Sequence, residues 1–316
     1  MSEFKEIFKK VNGWGVLKEY ARAHVLGLVM AETALLGTSR KSLEIVRLSA
    51  NNKIVSRLRK QNKALIKDFV KKHPVQKKYD HRRTIWTIWL QGMDQAPEVV
   101  QKCYASMKKN IKDREIVVIT EDNYSDYVEF PDYIMEKYHK GIISKVHFAD
   151  LLRIELLTKY GGTWLDGTVL VSEIDPEKHA FYLDSDLFLF QNLKPGLDGH
   201  STSISSWMMT ASSRQNIILL VRRLLHNYWK THDYAVDYFI LHDFFQLAIE
   251  AYPDEWKKVV PISNAMPHVV LLRLFDKYDE NVWNCVKSVT PFHKLSYKLE
   301  DGKSKLKDTY YDVLLK

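Results

Sequence analysis

A single stretch, His147 to Val171 (HFADLLRIELLTKYGGTWLDGTVLV), restricts the fold more than any other part of the chain. Apolar residues at Phe148, Leu151, Leu152, Ile154, Leu156 and Leu157 fit the wide apolar face of a helix, and Tyr160-Gly161-Gly162 stops it. Gly161 is expected to supply a left-handed cap. Thr163-Trp164-Leu165 and Val169-Leu170-Val171 then read as one short strand, interrupted at Asp166, Gly167 and Thr168. A carboxylate between two such apolar runs needs a partner. Asp-Gly alone is a hairpin signal. Asp150 and Arg153, however, lie one helical turn apart on one face, and the glycine pair lets the chain return so that Asp166 approaches them. The expectation is one charged cluster built from three separated positions.

The segments before it give the order strand, helix, strand. Thr84 to Gly92 (TIWTIWLQG) alternates and is β-branched and aromatic, so it reads as the first strand of a parallel sheet running into a loop. Pro97 to Asn110 reads as a helix and Ile116 to Ile119 as a second buried strand, an α/β pattern. Ligands of such sheets bind beyond the carboxyl ends of the strands. Gln91, Asp166 and Thr168 all fall near or just past strand ends. Further on, Tyr234 to Ile249 reads as a largely apolar helix carrying Asp237, His242 and Asp243.

At 316 residues and 46% hydrophobic, the chain can bury a substantial core, and two cysteines, Cys103 and Cys285, argue against a disulfide framework. No leader-like segment is read. The best apolar stretch, Val25 to Leu36, is interrupted by Glu32 and too short to span a bilayer, so a cytoplasmic protein is expected. Charge is uneven: residues 1–83 hold 20 Lys and Arg against 7 Asp and Glu, a net of +13, while the remainder is −5 and the whole chain +8. This basic region reads as helices over Glu3 to Lys10, Trp14 to Leu35, Ser42 to Ser49 and Asn52 to Lys72. Its Phe4, Phe8, Trp14, Leu26, Leu28 and Met30 give it an amphipathic composition suited to an anionic bilayer surface. The expected organisation is a helical basic region at 1–80, a catalytic α/β domain at 81–300 and a tail at 301–316. Nucleic acid is excluded as a partner, because no zinc-finger spacing, RNP string or helix-turn-helix accompanies the basic residues.

The pattern Phe-x-Asp-x-x-Arg followed by Leu-x-x-Tyr-Gly-Gly-x-Trp-x-Asp resembles the DXD sugar-binding region of retaining glycosyltransferases, and specifically the bacterial capsular polysaccharide synthesis family. The resemblance runs from about Thr84 to Lys298 and takes in VDYFILHDFF, SNAMPHVV and PFHKLSYK. It implies a GT-A domain, the Rossmann-like fold of nucleotide-diphospho-sugar transferases. It also implies a UDP-hexose donor, galactose or glucose, and Mn2+ or Mg2+ to neutralise the diphosphate. The acceptor would be a lipid-linked (polyprenyl diphosphate) saccharide at the inner face of the cell membrane, with the protein attached peripherally.

By that resemblance Asp166 binds the metal and is catalytic together with Arg153 and Asp237. Asp150 and Arg153 hold ribose or the donor sugar, and Trp86, Trp89 and Gln91 stack on or bond to uracil and ribose. His293 and His268 complete the metal site, and Lys294 and Lys298 bind the departing diphosphate. The second aspartate of the DXD pattern is replaced here by Thr168, a neutral and weaker ligand. The literal Asp184-Ser185-Asp186 string lacks the preceding helix and glycine turn and reads as a solvated loop. The replacement keeps open a second reading, a catalytically weak protein that binds a nucleotide sugar without transferring it.

Overall fold

A computed structural model describes residues 13–75, 83–193, 203–299 and 302–316. The helix expected at Glu3 to Lys10, with Phe4 and Phe8, lies outside the described residues, as does position 80, the expected domain boundary. The strands are β1 Thr84–Ile88, β2 Glu115–Ile119, β3 Gly162–Leu165, β4 Val169–Val171, β5 Leu187–Gln191, β6 Ile204–Ala211 and β7 Phe292–Lys294. The helices that matter here are α1 Gly13–Arg22, α2 Leu26–Leu36, α3 Arg40–Lys72, α4 Glu98–Asn110, α5 Lys145–Tyr160, α6 Asn216–Thr231, α7 Ile240–Ala251 and α8 Tyr310–Leu315.

The main sheet has the order β2-β1-β3-β6-β5. β1 is parallel to both β2 and β3, and β6 is antiparallel to both β3 and β5. The fold is therefore mixed α/β around a sheet with a parallel core. β4 and β7 form a separate antiparallel pair.

α5 starts where Ser144 accepts a hydrogen bond from the His147 amide, 3.3 Å, an N-cap that spares an orphan donor. From Asp150 to Leu157 every side chain of this helix is buried. It thus runs through the core with its charges inside, and each charge has a partner: Glu155 takes Arg222 at 2.8 Å and His226 at 2.5 Å.

The glycine turn differs in detail from the expected left-handed cap. Gly161 has φ 69° but ψ −162°, an extended conformation open only to glycine. Gly162 has φ 98°, and a Cβ there would stand 2.4 Å from the Thr84 carbonyl oxygen. The tight turn drops the chain from α5 straight into register beside β1.

Asp166-Gly167-Thr168 makes no hairpin, because β3 and β4 do not pair with each other. The Asp166 amide bonds the Trp207 carbonyl at 2.9 Å, and the Val169 amide bonds the Asp166 carbonyl at 3.0 Å. This tight turn moves the chain from one sheet to the other.

The N-terminal helices also differ from expectation. Trp14 to Leu35 splits into α1 and α2 around His24, whose φ is 55°, while the two segments expected after it merge into the 33-residue α3. Val46, Ala50, Ile54, Val55 and Leu58 of α3 belong to the same hydrophobic core as Trp86, Trp164 and the apolar face of α7. The described helices of the basic region are therefore packed into the α/β body, and α8 is likewise docked, with Tyr311 and Leu315 buried against Val99 and Cys103 of α4. α7 begins at Ile240, later than the expected helix, so Tyr234 to Phe239 forms a loop over the site.

Candidate active site at the strand ends

β1 and β3 run in parallel and end side by side. A Cβ on Gly167 would lie 3.3 Å from the Ile88 carbonyl and 3.7 Å from the Trp89 ring, so Gly167 lets the Asp166 turn sit directly on the end of β1. Here the expected cluster forms. Arg153 Nη2 is 3.5 Å from Asp150 Oδ1 and 3.5 Å from Asp166 Oδ1. Arg153 is aimed by its Nη1 bond to the Ser206 carbonyl, 2.6 Å, and lies over the Trp164 ring at 4.8 Å. Trp164 Nε1 in turn donates to Asp166 Oδ1 at 2.9 Å.

A fourth charge joins from 128 positions beyond Asp166. β4 and β7 set Lys294 opposite Val169, and its Nζ lies 3.5 Å from Asp166 Oδ2 while donating to Thr168 Oγ1. Two carboxylates thus share a half-open floor with one guanidinium and one ammonium. Asp166 is 27% exposed and Asp150 only 10%. Burial pushes Asp150 up to about 6, with Arg153 opposing and Asp166 adding to the rise.

Trp89 is half-buried just past β1, edge-on to Tyr297 at 5.5 Å. Gln91 is exposed in the following turn. Lys298 follows Tyr297 in the loop after β7, 6.0 Å from that ring. Of these, Trp89 adjoins the cluster, through the Gly167 turn. Trp86, by contrast, is 2% exposed; its Nε1 bonds the Gly161 carbonyl at 2.9 Å, and Tyr127 and Tyr160 pack on its ring. It has no face left for a base, because a strand covered on both sides buries both sets of alternating residues.

His293 alternates with Lys294 along β7 and faces the other way. It is fully buried, 3.1 Å from Ser172 Oγ and beside the Trp283 ring, and burial lowers its pKa to about 3. His268 packs on Trp207 with Nδ1 2.7 Å from the Asn264 carbonyl. Among the described residues no three His, Cys, Asp or Glu side chains converge in a way that could hold a metal ion. Asp166 itself presents both oxygens to N–H donors. The donor set expected for Mn2+ or Mg2+ does not fit these residues.

Asp237 is not gathered into the cluster either. Its Oδ1 accepts from the Phe239 amide at 2.7 Å and its Oδ2 from Asn51 Nδ2 of α3 at 2.9 Å, and the same amide group reaches Asp243 at 3.0 Å. Asp243 is fully buried and its pKa is raised well above the usual range by burial and by Asp237. These residues tie the loop over the site to the N-terminal helices.

Two residues that sequence reasoning passed over or set aside do face the cluster. Tyr238, 53% exposed, has its pKa raised by burial and by Asp150 and Asp166. His242 is driven down to about 4 by burial and Arg153, so it is neutral at pH 7. Tyr238 gave no periodic signal because it lies in the turn before α7. The Asp184-Ser185-Asp186 string sits elsewhere, with Asp184 bound to Arg114 at 2.6 Å. An open cleft of about 820 Å³ beside it, at the amino ends of β1 and β2, is lined by Arg83 and Arg114. Those arginines already pair with Asp113 and Asp184, and ligands of α/β sheets belong at the other end.

The fold and cluster define an α/β protein with a charged, aromatic-rimmed site at the carboxyl ends of parallel strands. Residues 38–314 match the family model described as capsular polysaccharide synthesis protein, and the chain belongs to that family. A solved structure described as PaToxG Glycosyltransferase is similar at 14% identity and a TM-score of 0.36, over 85% of this chain and 96% of that one. No curated protein matches the chain.

Proposed function

We propose that this protein is a retaining glycosyltransferase of the GT-A type that moves a hexose, galactose or glucose, from a UDP-sugar to a lipid-linked saccharide during capsular polysaccharide synthesis. The observation that carries this is the convergence of Asp150, Arg153, Asp166 and Lys294 beside Trp89 at the ends of β1 and β3. Trp89 offers a partly open ring for the uracil, Arg153 and Asp150 bind sugar or ribose hydroxyls, and Lys294 and Lys298 meet the diphosphate.

In the reaction the bond from the anomeric carbon to the diphosphate oxygen breaks and its electron pair leaves on the diphosphate. The acceptor hydroxyl oxygen forms the new bond on the same face, and its proton passes to the departing diphosphate oxygen. No enzyme nucleophile is needed, which suits a site from which Asp237 is turned away toward Asn51. Positive charge fixed where the leaving group develops is the chief source of rate in such a step.

The test is release of sugar from a panel of UDP-sugars by the purified protein, with and without acceptor, compared with Asp166→Asn. We expect selective turnover of one donor and a loss on the order of a hundredfold or more in the variant, by analogy with removal of other groups that organise charge at a reacting centre. Near-normal transfer by Asp166→Asn would remove this reading. Binding of UDP without any release of sugar would instead favour a non-catalytic binding protein.

A peripheral position on an anionic membrane is supported by α2. Only Val29 of its eleven residues is buried, while Met30, Leu35 and Leu36 are exposed. Lys41, Ile45 and Leu48, also exposed, share one face of the adjoining α3. Exposed apolar residues among lysines and arginines suit the boundary of an anionic leaflet. Among the described residues no helix is long and apolar enough to cross a membrane. Deleting the region would open the core that α3 completes, so the check is Met30→Glu with Leu35→Glu. Sedimentation with anionic liposomes should drop, and unchanged sedimentation would sink the membrane proposal.

A further inference from the structure

Lys294 occupies the place that a divalent cation would take between the two polar positions of the Asp166-Gly167-Thr168 turn. Its Nζ is 3.5 Å from Asp166 Oδ2 and donates to Thr168 Oγ1, so one ammonium bridges both positions of the motif. The other carboxylate oxygen is already held by Trp164 Nε1 at 2.9 Å and faces Arg153 at 3.5 Å. A metal entering here would have to displace a fixed positive charge and compete for oxygens that three donor groups, from Trp164, Arg153 and Lys294, already share. The substitution of a threonine for the second carboxylate removes half the negative charge that would attract a divalent ion. It leaves a hydroxyl, which can accept a bond from an ammonium as well as from water.

We infer that Lys294 neutralises the donor diphosphate in place of a metal, so that donor binding and transfer are metal-independent. An ammonium carries three N–H donors as a compact point charge. Thr168 takes one, while Asp166 Oδ2 and the Leu295 carbonyl are both only long contacts at 3.5 Å, so a phosphate oxygen can displace the carbonyl. β7 holds the lysine in place: its strand pairing with β4 and the bond from the Leu295 amide to the Thr168 carbonyl, 2.9 Å, fix the lysine backbone against the same turn that carries Asp166. Lys294 is therefore built in as a permanent counter-charge. This inference rests on the proposal that the site binds a UDP-sugar.

The experiment is calorimetric titration of UDP into the full chain, in EDTA and in MnCl2, for the wild type, Lys294→Met and Lys294→Arg. Expected is wild-type affinity that changes by less than about twofold between EDTA and MnCl2. Lys294→Met should bind at least about tenfold more weakly, the worth of one charge-assisted hydrogen bond, with Lys294→Arg recovering part of the loss. Thermal unfolding of each variant checks that the lost affinity is not lost folding. UDP binding that vanishes in EDTA and returns with MnCl2 would overturn the inference and leave the transferase proposal standing. Equal affinity of wild type and Lys294→Met would also overturn it. Failure of UDP to bind under either condition would overturn the function proposal and this inference with it.

Discussion

Arg153 Nη2 lies 3.5 Å from Asp166 Oδ1, although the two residues leave α5 and β3 on opposite sides of the Gly161-Gly162 turn. The contact exists because that turn is as tight as a backbone permits. Gly162 passes so close to Thr84 that a Cβ would sit 2.4 Å from its carbonyl oxygen, with φ at 98°. Gly302 also has positive φ, 81°, but nothing within 4 Å of its would-be Cβ.

Gly162→Ala is therefore expected to cost on the order of 2 to 5 kcal/mol, strain and overlap together, against about 1 kcal/mol for Gly302→Ala. Chemical denaturation of the two variants measures the difference. Equal losses would mean that the close approach to β1 is not what the glycine serves.

Trp86 and Trp89 are three residues apart and should behave oppositely. Trp86→Ala empties a core site and should lower stability by about 3 to 5 kcal/mol. Trp89→Ala should leave the melting temperature within a few degrees while weakening UDP binding by about 1 to 3 kcal/mol, the worth of one stacked base. Titration calorimetry with parallel thermal melts separates them, and a UDP affinity unchanged in Trp89→Ala would take the ring out of the site.

Asp150 is a carboxylate whose folded pKa, about 6, exceeds its ordinary value of 3.8. The native state then holds its proton more tightly than the unfolded chain, so this residue favours folding below about pH 4 and opposes it progressively as pH rises through 6. Asp150→Asn should accordingly be more stable than wild type at pH 7 to 8, by at most about 3 kcal/mol, with the gain fading toward pH 4. Unfolding curves across that range test it. An advantage independent of pH would point to packing instead.

His293 works in the other direction. Its folded pKa is lowered from 6.5 to about 3 by burial, so the unfolded chain binds a proton that the native state refuses. Its contribution is intact above about pH 6.5 and is lost as pH falls toward 3, at about 1.4 kcal/mol per pH unit once the unfolded histidine is protonated. His293→Gln should flatten the acid limb of the stability profile by about one proton. If the slope between pH 6 and 4 stays the same, His293 is not buried in neutral form.

Much of this architecture was legible in local residues, for reasons that are themselves local. The apolar spacing of Phe148 to Leu157, the Gly161-Gly162 stop and the strand composition of Thr84 to Ile88 depend on 3.6- and 2-residue periods and on glycine's freedom, and the structure agrees with them. The pairing of Asp150 with Arg153 follows from one helical turn. What alternation could not settle was which aromatic of TIWTIW is covered. A strand inside a sheet layered on both faces buries Trp86 as thoroughly as any apolar residue, and only the end of the strand frees Trp89.

The helix, the glycine turn, the strand and the charge pair that floor the site follow from local sequence, because each is decided by neighbours within a few positions. Tertiary structure alone decided which distant residues meet them. The β4–β7 pairing sends Lys294 to Asp166 and Thr168 and turns His293 into the core. The loop before α7 is anchored through Asp237 to Asn51, which brings Tyr238 and His242 over the cluster instead of a third carboxylate. Those choices depend on strand register and on the packing of α3 against α7, contacts between residues more than a hundred positions apart, and no local pattern encodes them.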